Sequence, residues 1–201
     1  MLAVWLKIRM KERIQMKPVF LLRHAESAPD RRIQESEWPL SVEGERQGLE
    51  LSECLLGLGI DRIVSSPYKR AMATVELFAE GADLKVEVLS DLRERKLRES
   101  YIENGQEVLE RSWRDWKFAL SNCESGVECQ NRMAGCVDRL VAEGKGRCIL
   151  VRSPGNAIGL YLNALNPSFG FEGWGKMRNP DLFKIVYENG APMWDQRFVY
   201  L

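Results

Sequence analysis

Pro18-Val19-Phe20-Leu21-Leu22-Arg23-His24-Ala25-Glu26-Ser27 is the stretch on which the fold turns. Its run of Val, Phe and Leu reads as a buried strand, and it stops abruptly at an Arg-His pair followed by a carboxylate and a hydroxyl. In an open α/β sheet, side chains at the carboxyl ends of strands leave the core and face a crevice, where such sheets place their chemistry. His24 is the single histidine of the chain. A lone histidine is ordinarily a satisfied surface or core residue. One that follows a cation at a strand end is a candidate for chemistry.

Outward from this strand, the chain alternates strands and helices. Ser41 predicts an N-cap for a helix that Gly57 and Gly59 end, with Leu49, Cys54, Leu55 and Leu58 as its apolar stripe. A second strand runs from Ile60 to Ser66, and Pro67 begins a helix where its missing N–H costs nothing. Arg70 then falls in the first turn, beside free N–H groups and the partial positive charge of the helix end, a setting suited to phosphate. A third strand is expected over Val86–Leu92, helices over 102–120 and 128–141, and a fourth strand over Arg147–Ser153. A helix over Gly155–Leu165, a strand over Leu182–Tyr187 and a closing edge strand over Arg197–Leu201 complete the chain. This order predicts a three-layer α/β/α sandwich with a mostly parallel central sheet, in one domain spanning 18–201. Residues 1–17 are expected to be a poorly ordered extension, because Lys7, Arg9, Lys11, Glu12 and Arg13 break their apolar start.

Two blocks resemble a known family. Leu22-Arg23-His24-Ala25-Glu26-Ser27 is similar to the signature of the histidine phosphatase superfamily, the phosphoglycerate-mutase-like proteins, with Ala25 where glycine is usual. Asp61 to Thr74 resembles the strand, Ser-Ser-Pro turn and Arg-Ala helix start of that family. The resemblance runs from about Pro18 to the C-terminus. It implies a phosphoglycerate-mutase-like fold, phosphorylation of His24, phosphate binding by Arg23 and Arg70, and proton donation by Glu94, since Leu92-Arg93-Glu94 matches a Leu-x-Glu segment. Ser27 and Gly155 are further site candidates. Asp30 stands where many relatives have an asparagine near the phosphate, and a carboxylate there would repel one.

The main departure lies in Val151-Arg152-Ser153-Pro154-Gly155-Asn156. The family pattern is Ser-His-Gly, with a second histidine touching the phosphate, and Pro154 takes its place. Proline offers no side-chain donor and no N–H. Strand alternation puts Arg152 on the same side as position 154, one step deeper, which makes it a candidate to restore positive charge beneath the phosphate.

A neutral imidazole can attack phosphorus and carry the group as phosphohistidine. Arginine forks suit the phosphate, and a carboxylic acid can protonate the departing alcohol. The resemblance therefore implies a phosphatase acting on a small phosphomonoester, slowed by Pro154. A silent relative that binds a phosphate ligand or a protein partner is the alternative. A phosphoglycerate-type mutase is the second alternative; mutases of the family usually carry insertions for which this chain looks too short. The scheme needs no cofactor and no metal. Lys+Arg and Asp+Glu both number 29, which gives no electrostatic reason to expect nucleic acid or an anionic membrane as partner. The expected partner is a small phosphorylated metabolite, and nothing in the sequence sets an oligomeric state. Five cysteines at no metal-binding spacing read as free thiols in a reducing compartment, so a cytoplasmic location is expected.

Overall fold

The computed structural model describes residues 18–99, 102–188 and 190–199, so the expectation for residues 1–17 lies outside the described residues. Six strands form one sheet in the order β3-β2-β4-β1-β5-β6. They are β1 (Val19–Arg23), β2 (Arg62–Ser65), β3 (Val86–Val88), β4 (Ile149–Arg152), β5 (Asp181–Glu188) and β6 (Ala191–Trp194). β3, β2, β4 and β1 are parallel, whereas β5 runs antiparallel to β1 and β6 antiparallel to β5.

Strand alternation sorts the core into two layers. Phe20, Leu22, Ile63 and Leu150 face α1 (Val42–Leu56) and α2 (Lys69–Gly81), where they meet Leu51, Leu55, Val75 and Phe78. Val19, Leu21, Val64, Ile149 and Val151 face α4 (Gly126–Ala142) and α5 (Gly155–Leu165), where they meet Met133, Val137, Ile158 and Leu162. Burial on both faces is why the central strands read as unbroken apolar runs. The result is the expected α/β/α sandwich with a mostly parallel sheet.

Local chemistry sets the helix starts. The Ser41 hydroxyl accepts from the N–H of Gly44 and caps α1. A Cβ at Gly44 would lie 1.9 Å from the carbonyl oxygen of Glu26, so glycine lets α1 press against the chain just after His24. Ser125 and Glu128 cap α4 reciprocally as a capping box.

Four expected elements differ from those observed. The third strand stops at Val88, and Ser90–Leu92 forms a short 3-10 turn instead. α2 begins at Lys69, two residues beyond Pro67. The helix expected over 102–120 is α3 (Gly105–Arg114), which ends before Trp116. Trp113 and Trp116 nevertheless meet edge to face at 5.5 Å, so the helical spacing of the tryptophans marked one aromatic cluster and not one helix. Phe171 and Trp174 of α6 (Phe171–Gly175) extend that cluster over α5. Finally, residues 197–199 form no strand. The edge is β6, which returns as a hairpin on β5 through Gly190, while Phe198 packs its ring on Phe20 at 5.4 Å.

Candidate active site

His24 follows the last residue of β1 and is 9 % exposed. Its Nδ1 lies 2.8 Å from the carbonyl oxygen of Ala25. A carbonyl only accepts, so Nδ1 carries the proton and Nε2 keeps its lone pair. Burial, then the guanidiniums of Arg152 and Arg70, push the imidazole pKa down to about 2, against a smaller upward pull from the Ala25 bond. The ring is therefore neutral, with its nucleophilic nitrogen unprotonated. Asn179 positions it by donating from Nδ2 to the His24 carbonyl oxygen at 2.7 Å.

Two arginines reach the same point. Arg70, 2 % exposed on the first turn of α2, directs Nε toward His24 Nε2 at 3.4 Å. Arg23, the last residue of β1, donates from Nη1 to the Met177 carbonyl at 2.7 Å. Its buried Nε has no hydrogen-bond partner among the described residues. A Cβ at Gly155 would sit 2.7 Å from that Nε, so the glycine is what allows Arg23 to pass.

Glu35 enters the site from the loop above it. Its carbonyl and carboxylate accept from Arg70 Nη1 and Nη2 at 2.6 and 2.9 Å. The rings of Tyr68 and Trp38 cover the same guanidinium at 4.9 and 5.6 Å. A carboxylate thus occupies donors that a phosphate would use. Glu35→Ala should therefore tighten the binding of inorganic phosphate by up to roughly 5-fold, because a half-exposed ion pair is worth about 1 kcal/mol or less. Titration calorimetry would check it, and an unchanged or weaker affinity would show that Glu35 serves only to hold the loop.

Glu94 lies at the opposite wall. Its Oε1 accepts from the N–H groups of Arg95 and Ala157 at 2.8 and 3.0 Å, and its Oε2 from Asn156 at 3.3 Å. The carboxyl therefore caps the N-terminus of α5 from outside that helix. Burial and the nearby Glu35 carboxylate raise its pKa despite these bonds. The segment that carries it is fastened from both sides. Arg95 is buried and donates to the Glu124 carbonyl and the Ser112 hydroxyl, while Arg132 forms a fork to Glu124 and bonds the Asp91 carbonyl. Arg95 is thus committed to the scaffold and not to a ligand.

Of the remaining candidates, Arg152 ends β4 and is completely buried. Pro154 is the N-cap residue of α5, its backbone extended, and its side chain adds no donor. Asp30 points away from the site's cations in its bonding, because its carboxylate is held by the fork of Arg32 at 2.7 and 2.9 Å. Ser27 pairs as an isolated bridge with Leu40 and ties the loop base to the start of α1. His24, Arg23, Arg70, Arg152, Glu94 and Gly155 are thus gathered at the carboxyl ends of β1 and β4, whereas Ser27 and Asp30 belong to the loop. Asn179 and Glu35 were not anticipated. Glu35 lay in a polar loop with no motif, and the Asn179-Pro180-Asp181 turn gave no sign of facing the first strand.

Beyond Glu94 and Glu35 a cavity of about 830 Å³ opens, lined among others by Trp38, Tyr68, Asn156 and Trp174. It exceeds what a phosphate needs and has room for a leaving group. No described helix is long and apolar enough to cross a membrane.

Comparison with known proteins bears on the fold and the family. Proteins called probable phosphoglycerate mutase GpmB are similar to the chain: 29% identity over 188 residues for that of Cronobacter sakazakii, covering 86% of each chain. That of Proteus mirabilis is 29% identical over 189 residues, covering 87% of this chain and 86% of the relative. Relatives that bear the mutase name thus match over most of both chains, so length does not set this chain apart from them. Among solved structures, a mycobacterial glucosyl-3-phosphoglycerate phosphatase complexed with VO3 superimposes with a TM-score of 0.72 at 24% identity, covering 89% of this chain and 96% of that one. A phosphoserine phosphatase from Entamoeba histolytica in complex with 3-phosphoglyceric acid gives 0.72 at 19%, covering 92% and 97%. A profile of the histidine phosphatase superfamily (branch 1) matches residues 19–197. With that match over nearly the whole domain, the chain belongs to the histidine phosphatase superfamily.

Proposed function

We propose that the protein is a phosphatase that hydrolyses a small phosphomonoester through a phosphohistidine on His24. The observation that carries this reading is a neutral, buried imidazole whose unprotonated Nε2 faces the Arg70 guanidinium, with a protonatable carboxyl in the same site. In the first step the Nε2 lone pair forms the N–P bond, the P–O bond to the alcohol breaks, and Glu94 gives its proton to the departing oxygen. In the second step the Glu94 carboxylate takes a proton from water, the water oxygen bonds phosphorus and the N–P bond breaks. Inorganic phosphate then leaves and Glu94 is again protonated. Arg23 and Arg70 hold the charge on the oxygens throughout.

Hydrolysis is favoured over a mutase reaction because the cavity mouth is wet. The side chains of Glu35 and Lys96 are close to half exposed there, whereas a mutase must keep water from its phosphoenzyme. Pro154, which lacks a donor, and Glu35, which fills Arg70, support the second reading, a silent relative that binds an anion. Assay of a panel of phosphomonoesters, including 3-phosphoglycerate and phosphoserine, separates the readings. Phosphate release with no phosphoryl shift is expected. Isomerised 3-phosphoglycerate would make the protein a mutase, and anion binding with no turnover would make it silent.

A further inference from the structure

Among the described residues, Arg152 is the one fully buried cation for which the fold offers no local explanation. It is 0 % exposed, and Nε, Nη1 and Nη2 all lack a hydrogen-bond partner among the described residues. Arginine does not escape this position by losing its proton, because its guanidinium stays charged in proteins. Buried charges are ordinarily paired, and one left unpaired is strongly unfavourable.

Its placement says what would pair it. Arg152 is the last residue of β4, in register with Leu22 on one side and Ser65 on the other. It shares the parity of Leu150, so it projects on the sheet face that Leu22 and Ile63 share with α1 and α2. His24, two residues beyond Leu22, has the same parity, and α2 brings Arg70 to that face. Arg152 and Arg70 both bear on His24 with positive charge, Arg70 from an Nε 3.4 Å away from the ring. Arg23 and Arg70 bear on Arg152 with like charge. Glu94 is the carboxylate that acts on it, and its oxygens already serve three backbone N–H groups.

We propose that Arg152 is a catalytic residue that grips the phosphoryl group from beneath, presenting its unpartnered guanidinium nitrogens to the transferring oxygens where Pro154 has nothing to offer. This rests on the phosphatase reading for the rate effect, and on anion binding alone for the rest. The site is thereby preorganised at the expense of the empty protein: three guanidiniums converge before the anion arrives, and the anion completes them.

Arg152→Met tests the assignment, with Arg152→Lys beside it and with inorganic phosphate and orthovanadate as probes. The Met variant should melt at or above the temperature of the parent without anion, since it replaces an uncompensated buried charge by an apolar chain. Its affinity for both anions should fall at least about 10-fold, and the anion-induced rise in melting temperature should shrink with it. Turnover should drop on the order of 100- to 1000-fold, the effect of losing one preorganised donor. The Lys variant, which keeps the charge without the fork, should fall between. A lower melting temperature with unchanged anion affinity would overturn the assignment and make Arg152 structural. Should the Met variant not fold, the Lys variant decides by the same anion titration, and failure of both to fold also overturns it. If the parent shows no turnover but binds vanadate in an Arg152-dependent way, the phosphatase reading fails while the anion site stands.

Discussion

His24→Ala should reduce phosphate release by on the order of 10⁴-fold or more, because the nucleophile itself is removed and only binding groups remain. Acid-labile phosphate should appear on the parent protein and not on the variant. The variant should still bind orthovanadate, since Arg23 and Arg70 are untouched. A variant as fast as the parent would eliminate the phosphohistidine route. The depressed pKa adds a second expectation. Held at about 2, the imidazole remains a nucleophile from neutral to mildly acidic pH, so no acid limb in the rate should come from its protonation. The same depression destabilises the fold in acid. Below the ordinary value of 6.5 the unfolded chain takes up a proton at His24 that the folded chain refuses, so stability is lost as pH falls from there toward about 2. His24→Ala should flatten that part of the melting profile.

Glu94→Gln is expected to slow hydrolysis of an alkyl phosphate by about 10²- to 10⁴-fold, the usual contribution of a general acid. The loss should be far smaller with p-nitrophenyl phosphate, whose leaving group departs without a proton. The glutamine carbonyl can still accept from the N–H groups at the start of α5, so the fold should persist. Because the pKa of Glu94 is raised, its acid form survives to higher pH than an ordinary glutamate. Activity on alkyl phosphates should then fall as pH rises through that raised value, and this alkaline limb should vanish in the variant. Equal losses for both leaving groups would show that Glu94 positions α5 and donates no proton.

How much of this was legible depended on whether the signal was local. The β1 strand end at Arg23-His24 and the Ser65-Ser66-Pro67 turn before Arg70 could be read because strand, turn and helix start each leave their mark within a few residues. Parity along β4 likewise gave the sheet face of Arg152 before its burial was visible. The misread elements were governed by contacts distant in sequence. Trp116 looked helical because its spacing from Trp113 fits one turn, yet the aromatic cluster it joins is completed by Phe171 and Trp174. The apolar run that follows Arg197 suggested a closing edge strand, but the free edge of β5 was already taken by Ala191–Trp194. Glu35 was invisible for the same reason: nothing in a polar loop states which cation it will meet.

The antiparallel pairing of β1 with β5 has a consequence for how the protein comes into being. The strand that carries the nucleophile is made well before either of the strands that flank it, β4 and β5. The hydrogen bond from Asn179 to His24 spans 155 residues. On the ribosome, β1 therefore waits with both edges unpaired until β4 emerges and with one until β5 follows, and such long-range pairings make for slow closure. Until β5 docks, the carbonyl of His24 lacks its anchor and Arg23 lacks the Met177 oxygen that orients it. A chain that still lacks β5 thus exposes a sticky strand but no assembled site, and chaperone demand and the onset of activity both turn on the docking of that one strand.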